Sequence, residues 1–310
     1  MPKGLFTQTV CLLLRRPVTL DQIEAALGSE TKLARIDACE HWAFGQESLM
    51  LEFDAEKQGR ILFDLLEHPW PDGMGDPEKE PMIFGAWSLG NFGPATYPQG
   101  LQRAAQHCYF WEEAGEEVAK HNAVLRVRVT YATGTTPDAP MLPDGYSPLE
   151  ELNSLMSCVS AIAKLDEVIC YFNPSGEVLR PVEQMAKILE QATTHGIPPL
   201  ELWTNVRMYG LNSEWSMMDT VGNMQVDVPD VEAVFRSQQY DPNKVAGFLG
   251  QVTLYLMQTD KEVSTDDTLD GPGKVQWKFE QRDQALAEPP RKIIRITPED
   301  GHATPEIQRN

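Results

Sequence analysis

The sequence predicts an α+β protein: mostly antiparallel mixed sheets covered by helices. Three observations carry this. Apolar residues alternate between two periods along the chain, two residues in runs such as Val124–Tyr131 and three to four in runs such as 149–163. Helix start and stop signals bracket the second kind of run, as at Ser147-Pro148, Asp241-Pro242 and His195-Gly196. Hydrophobic residues make up 42% of 310, enough for a sizeable core.

In chain order, Thr7–Arg15 is rich in Val and Leu and is predicted as a strand. Pro17 and Thr19 introduce a helix through Leu20, Ile23, Ala26 and Leu27, which Gly28 ends. Ile36–Phe44 and Leu49–Phe53 are predicted as paired strands around a Gly45-Gln46-Glu47 loop, and Ile61–Leu66 as a third. Residues 68–100 are rich in Pro, Gly and aromatics. The stretch reads as a lid, a binding loop or a linker packed over the sheet by Trp70, Phe84, Trp87 and Phe92; the packed connection is favoured, because so many large apolar side chains do not stay in water. Leu101–Glu113 is predicted as a helix. Val124–Tyr131 is predicted as a strand with Arg126 and Arg128 on one side and Leu125, Val127 and Val129 on the other. Thr133–Gly145 is a polar loop.

Ser147 to Met208 organises the rest. Ser147, Pro148 and Glu150 form a capping-box pattern before a helix with Leu149, Leu152, Leu155, Met156, Val159, Ile162 and Ala163 on one face. Val168–Phe172 is apolar on both faces and is predicted as a central strand. Pro181 opens a second helix, and Pro198-Pro199 forbid its continuation. Leu200–Met208 alternates and is predicted as a strand, which makes a right-handed parallel crossover with the first. Beyond it, Trp215–Met218 is predicted as a strand, Asp219–Asp230 as irregular and Asp241 as the cap of a long helix. Thr259–Gly273 is predicted as an acidic loop, Val275–Phe279 as an edge strand and Lys292–Thr297 as a last strand. The final dozen residues read as a tail.

Residues 1–110 are expected to form a first α+β half, 111–282 a second and 283–310 an extended tail, although the same order also reads as one continuous domain. The halves share an approximate order of elements that admits two ferredoxin-like units, without a repeated motif.

Formal charge is −20, from 46 acidic against 26 basic residues. Phosphate backbones and anionic lipid repel such a surface, so neither nucleic acid nor membrane is an expected partner; a basic protein is. The five cysteines are scattered and contain no C-x-x-C pair, which fits a reducing compartment. The apolar run Val10–Leu14 is too short for a signal-peptide core or a membrane span. A soluble cytoplasmic protein is the expectation.

Few residues offer chemistry. Cys39-x-His41 on a strand would share one face and begin a zinc site, but no second ligand pair follows, so no metal is expected. His107-Cys108 would project differently from a helix and lacks an orienting third group. His121 lies between a predicted helix end and a strand. It reads either as a general base or as a histidine donating to free helix carbonyls. Glu112-Glu113 and Glu116-Glu117 fit a solvated helix face. Gly85, Gly90 and Gly93 are not a phosphate loop, since no Lys-Ser/Thr follows. No catalytic residue and no cofactor is assigned. The candidate ligand or partner contacts are Trp70, Trp87, Trp111, His121 and Trp203.

Several ordered motifs resemble a known family. They are Trp111-Glu112-Glu113-Ala114 through Val118 to His121 with the strand Ala123–Thr130, and Leu202-Trp203-Thr204-Asn205-Val206 with Thr220-Val221-Gly222-Asn223-Met224 downstream. Residues 10–27 and the His68-Pro69-Trp70 turn add to them. Together they resemble the bacterial proteins of domain of unknown function 4261, over most of residues 8–258. The resemblance implies an α+β fold and no established activity. Gly222-Asn223-Met224 departs from the Gly-Met-x-x-Phe-Gly of that family. The expected function is a non-enzymatic binding or interaction protein, in one version an immunity-type inhibitor of a basic toxin. The alternative is a small-molecule enzyme with a pocket near His121, Trp111 and Trp203.

Overall fold

A computed structural model of the chain describes residues 3–28, 31–132, 141–259 and 263–302. Most of the predicted 133–145 loop, part of the acidic loop after Thr259 and the tail beyond 302 lie outside the described residues. The chain divides into two compact units, Met1–Trp203 and Thr204–Asn310. The expected divisions after residues 110 and 282 both fall inside these units.

The first unit is built on strand β1 (Gln8–Leu14), every residue of which is buried. Helix α1 (Leu20–Leu27) follows, opened by a reciprocal capping box between Thr19 and Gln22. Then come β2 (Leu33–Ile36), β3 (Ser48–Asp54), β4 (Gly59–Leu66), α2 (Pro81–Ser88), α3 (Gly100–Gln106), α4 (Ala114–Val118) and β5 (Ala123–Thr130). The unit closes with α5 (Pro148–Ile162), β6 (Val168–Asn173), β7 (Val178–Pro181), α6 (Val182–His195) and the single turn α7 (Leu200–Trp203). The seven strands lie in the order β2-β3-β4-β5-β1-β6-β7, and every neighbouring pair is antiparallel. Helix α5 packs on β1 and β5. The other face carries Cys11, Leu13, Val124, Cys170 and Phe172, which pack with Trp70, Trp87, Leu101, Ala104 and Val118. The aromatic stretch 68–100 is therefore a packed connection, with Trp70, Trp87 and Phe92 buried.

Several predicted elements of this unit take another form. Ile36–Phe44 is not a strand; the strand ends at Ile36, and the loop after it puts Trp42, Ala43 and Phe44 into the core cluster. Of the predicted helix 101–113 only α3, ending at Gln106, forms; a turn around Trp111 follows, and α4 begins at Ala114. The cap at Ser147 forms, its Oγ accepting from the Glu150 N–H at 3.3 Å. An unpredicted strand, β7, pairs with β6. Leu200–Met208 is not one strand, because Leu200–Trp203 turns helically after the prolines and the strand starts at Asn205 in the second sheet. The parallel crossover is therefore absent: β6 lies between β1 and β7.

The second unit holds β8 (Asn205–Gly210), β9 (Trp215–Val221), a 3-10 turn (Asn223–Val226), β10 (Asp230–Arg236), α8 (Pro242–Gln258), β11 (Thr268–Gly271), β12 (Val275–Arg282) and β13 (Ile293–Pro298). Their order is β11-β12-β13-β10-β9-β8. The β10–β13 pair is parallel and the rest are antiparallel. Asp241 caps α8, its side chain accepting from the Asn243 N–H at 2.9 Å. The apolar stripe Val245, Phe248, Leu249, Val252 and Leu256 packs on Val231, Ala233, Phe235, Trp277 and Ile296. The predicted edge strand at Val275–Phe279 is internal, flanked by β11 and β13. Neither sheet has the four-stranded βαββαβ composition of a ferredoxin-like unit. The α+β class with mostly antiparallel sheets stands. No helix among the described residues is long and apolar enough to cross a membrane.

Candidate functional site

His121 follows α4 and leads into β5, and its surroundings decide its chemistry. Its Nδ1–H donates to the Val118 carbonyl, and Nε2 accepts the Trp70 backbone N–H at 2.8 Å. That arrangement fixes the neutral tautomer with the proton on Nδ1. Burial lowers the imidazole pKa below its ordinary value, against the opposing pull of the Val118 carbonyl and Asp72. Beside it runs a surface groove of about 530 Å³, bordered by His121, Asp72, Gln102, Gln106 and Glu112 over Leu101 and Val118. Asp72 is committed as well: its carboxylate accepts the N–H groups of Leu101 and Gln102, both at 2.8 Å, at the start of α3. Burial raises its pKa against those two bonds. With both nitrogens bonded to backbone groups, His121 turns no free nitrogen toward the groove.

Four of the five candidate contacts meet here. The Trp70 ring lies edge-on to Trp87, Phe92 and Phe172, at centroid distances of 6.2, 5.3 and 5.3 Å. Trp111 packs half-buried on the same cluster. Trp203 is fully buried at the end of α7 and is not part of that cluster. The Cys39 and His41 pair sits in a loop rather than a strand, where His41 Nδ1 accepts the Ala43 N–H at 3.2 Å. His107 bonds Tyr109 rather than its neighbouring thiol, and Cys108 donates to the Leu179 carbonyl. All five cysteines are free thiols. Among the described residues, no three His, Cys, Asp or Glu side chains are grouped to hold a metal ion.

Two buried ionic networks were not foreseen. In the first unit, Asp64 accepts from Arg126 Nε at 2.9 Å, Arg128 Nη2 at 2.7 Å and Ser48 Oγ at 2.8 Å. Arg126 also donates to the carbonyls of Ala43 and Asn91, and Arg128 to Asn91 Oδ1 at 2.7 Å. The Phe6 ring lies 3.8 Å from the Arg128 guanidinium. Burial pushes the Asp64 carboxyl up, but the two guanidiniums outweigh it and hold the pKa below the usual carboxylate range. In the second unit, Asp219 accepts from Arg207 Nε at 3.0 Å and Arg291 Nη2 at 2.6 Å. Arg291 Nε reaches Asp230 at 2.9 Å, and Arg295 Nε reaches Glu232 at 2.7 Å. The signal that was present is alternation: Arg126 and Arg128 fall on one face of a strand that is otherwise apolar.

The departing Gly222-Asn223-Met224 segment has a structural role. The buried Asn223 side chain accepts from Thr204 Oγ1 at 3.0 Å and donates to the Pro229 carbonyl and Thr253 Oγ1 at 3.1 and 3.0 Å. Its backbone N–H reaches Asp230. It ties β8, β10 and α8 together at one point.

No curated protein and no solved structure matches the chain. A family model matches residues 219–297, from the end of β9 into β13. Of the motifs that carried the resemblance, Thr220 to Met224 falls inside this stretch, and the others precede it. That family is described as Domain of unknown function (DUF4261), and residues 219–297 of the chain match it.

Proposed function

We propose that the chain is a non-enzymatic binding or interaction protein of the cytoplasm, with an acidic surface that takes a basic protein partner rather than nucleic acid or membrane. The observation that carries this reading is the commitment of both His121 ring nitrogens to backbone groups. A general base needs a nitrogen facing the proton it removes. The carboxylates Asp64 and Asp219, whose pKa values the neighbouring arginines hold down, likewise sit in networks with those arginines. The formal charge of −20 supports a basic partner. An immunity-type inhibitor of a basic toxin is the narrower form of the same reading.

The second reading is a small-molecule enzyme. The observation favouring it is the groove that His121 shares with Asp72 and Glu112. The two readings separate in one experiment. The immobilised chain is offered a lysate at low and high salt, as wild type and as His121→Gln. Under the first reading a basic protein is retained at low salt, is released as salt rises, and is retained equally by the variant. Recovery of no partner at either salt counts against it. A small-molecule turnover that vanishes in His121→Gln while the fold is kept establishes the enzyme.

A further inference from the structure

The second unit carries a groove of about 720 Å³ between α8 and the β11–β12 hairpin, lined by Lys244, Gly247, Phe248, Gln251, Asp270 and the Gly271–Lys274 turn. Two lysines, Lys244 from the first turn of α8 and Lys274 from the hairpin, border it. Among the described residues, neither has a carboxylate within ion-pair distance. The one carboxylate on the lining, Asp270, is held by the Gln276 side-chain amide.

The turn is held rigidly. A Cβ on Gly271 would lie 2.4 Å from Trp277 Cδ1 and 2.9 Å from Phe248 Cζ, so only glycine lets the hairpin come this close. Gly273, at φ 81°, rests against Tyr240 in the same way. Trp277 Nε1 donates to the Pro272 carbonyl at 3.1 Å, and Tyr240 Oη donates to Asp300 at 2.8 Å. Lys274 itself has φ 59°, a conformation that costs a non-glycine residue energy and persists because the turn imposes it. The fold thus fixes the backbone on which the second lysine stands, which lowers the ordering cost of binding there.

We propose that this groove binds the phosphate group of a small phosphate monoester, with Lys244 and Lys274 on the anion and the organic part between α8 and the hairpin. Two lysine charges match a phosphate monoester, which carries about −1.5 to −2 near neutral pH, better than a single carboxylate. The volume exceeds that of a bare phosphate ion and lies within the range of about 300–1,000 Å³ usual for small-ligand sites. The overall acidity of the chain does not prevent this, because at physiological salt charges beyond about 8 Å are largely screened, and on the lining the two lysines outnumber the single carboxylate, Asp270. This site is independent of the protein-binding reading and stands or falls separately.

The test is titration of the full chain with phenyl phosphate, inorganic phosphate and chloride at matched ionic strength, followed by backbone amide shifts. Phenyl phosphate is expected to give saturable shifts confined to residues 244–251 and 270–275 and to bind more tightly than inorganic phosphate. Chloride is expected to give none. Lys244→Gln and Lys274→Gln, both at exposed positions, should each weaken phenyl phosphate binding about tenfold, the equivalent of about 1.4 kcal/mol, with an unchanged unfolding midpoint. Shifts that do not saturate, that chloride reproduces, or that survive both substitutions overturn the proposal. Equal affinity for phenyl phosphate and inorganic phosphate overturns the monoester assignment.

Discussion

At the scale of single residues, the interior of this protein is controlled by a few polar atoms with no alternative partner. His121 is one. Its pKa lies below the ordinary 6.5, so between the folded and unfolded values the unfolded chain binds more protons. Stability attributable to His121 is complete above about 6.5 and is lost as pH falls through the folded value. Urea unfolding followed across this range should show that acid-side fall in the wild type. In His121→Gln the fall should be missing, at a cost of about 1 kcal/mol near neutral pH. A fall of equal size in both proteins would remove His121 as its source. Asp64 is the other case. Asp64→Asn leaves Arg126 and Arg128 buried against one neutral amide and should cost about 3–5 kcal/mol. The measurement is the denaturation midpoint. The structural side of His121 was legible from its place after a helix end. The ionic partners of Asp64 were not, because Arg126 and Arg128 lie more than 60 positions away and nothing local marks that distance.

At the scale of elements, the helices were the legible part. Ser147-Pro148, Asp241-Pro242 and His195-Gly196 mark where α5 and α8 begin and where α6 ends. Ser147→Ala should cost about 0.5–2 kcal/mol, read from thermal unfolding, since one orphan N–H loses its acceptor. Among the strands, β10 was missed. Asp230 and Glu232 look like loop residues in sequence, yet both are buried, because Arg291 and Arg295 come back to meet them. The Leu200–Met208 alternation was misleading for a different reason. The local period was genuine, but the bend after Pro198-Pro199 and the change of sheet are decided by tertiary packing. The candidate site was half legible: the aromatics of 68–92 and His121 do converge, whereas Trp203 is buried elsewhere.

At the scale of the whole molecule, each compact unit contains its own arginine–carboxylate knot, Asp64 with Arg126 and Arg128 in one and Asp219 with Arg207 and Arg291 in the other. A chain of two such units need not unfold in a single step. Hydrogen exchange should therefore localise the damage. Asp64→Asn is expected to lower protection first in β4 and β5, and Asp219→Asn first in β9 and β10. Uniform loss across both sheets in either variant would show one cooperative unit instead.

The position of β13 has a consequence for how this protein is made. It is the last strand of its sheet in sequence, yet it is inserted between β12 and β10. While translation proceeds at about 5–20 residues per second, β10 leaves the ribosome several seconds before the strand that will cover its flank. In that interval the three-stranded meander β8–β9–β10 and the hairpin β11–β12 each present an unoccupied backbone ladder. That exposure ends when residues 293–298 emerge and fill the place between β12 and β10.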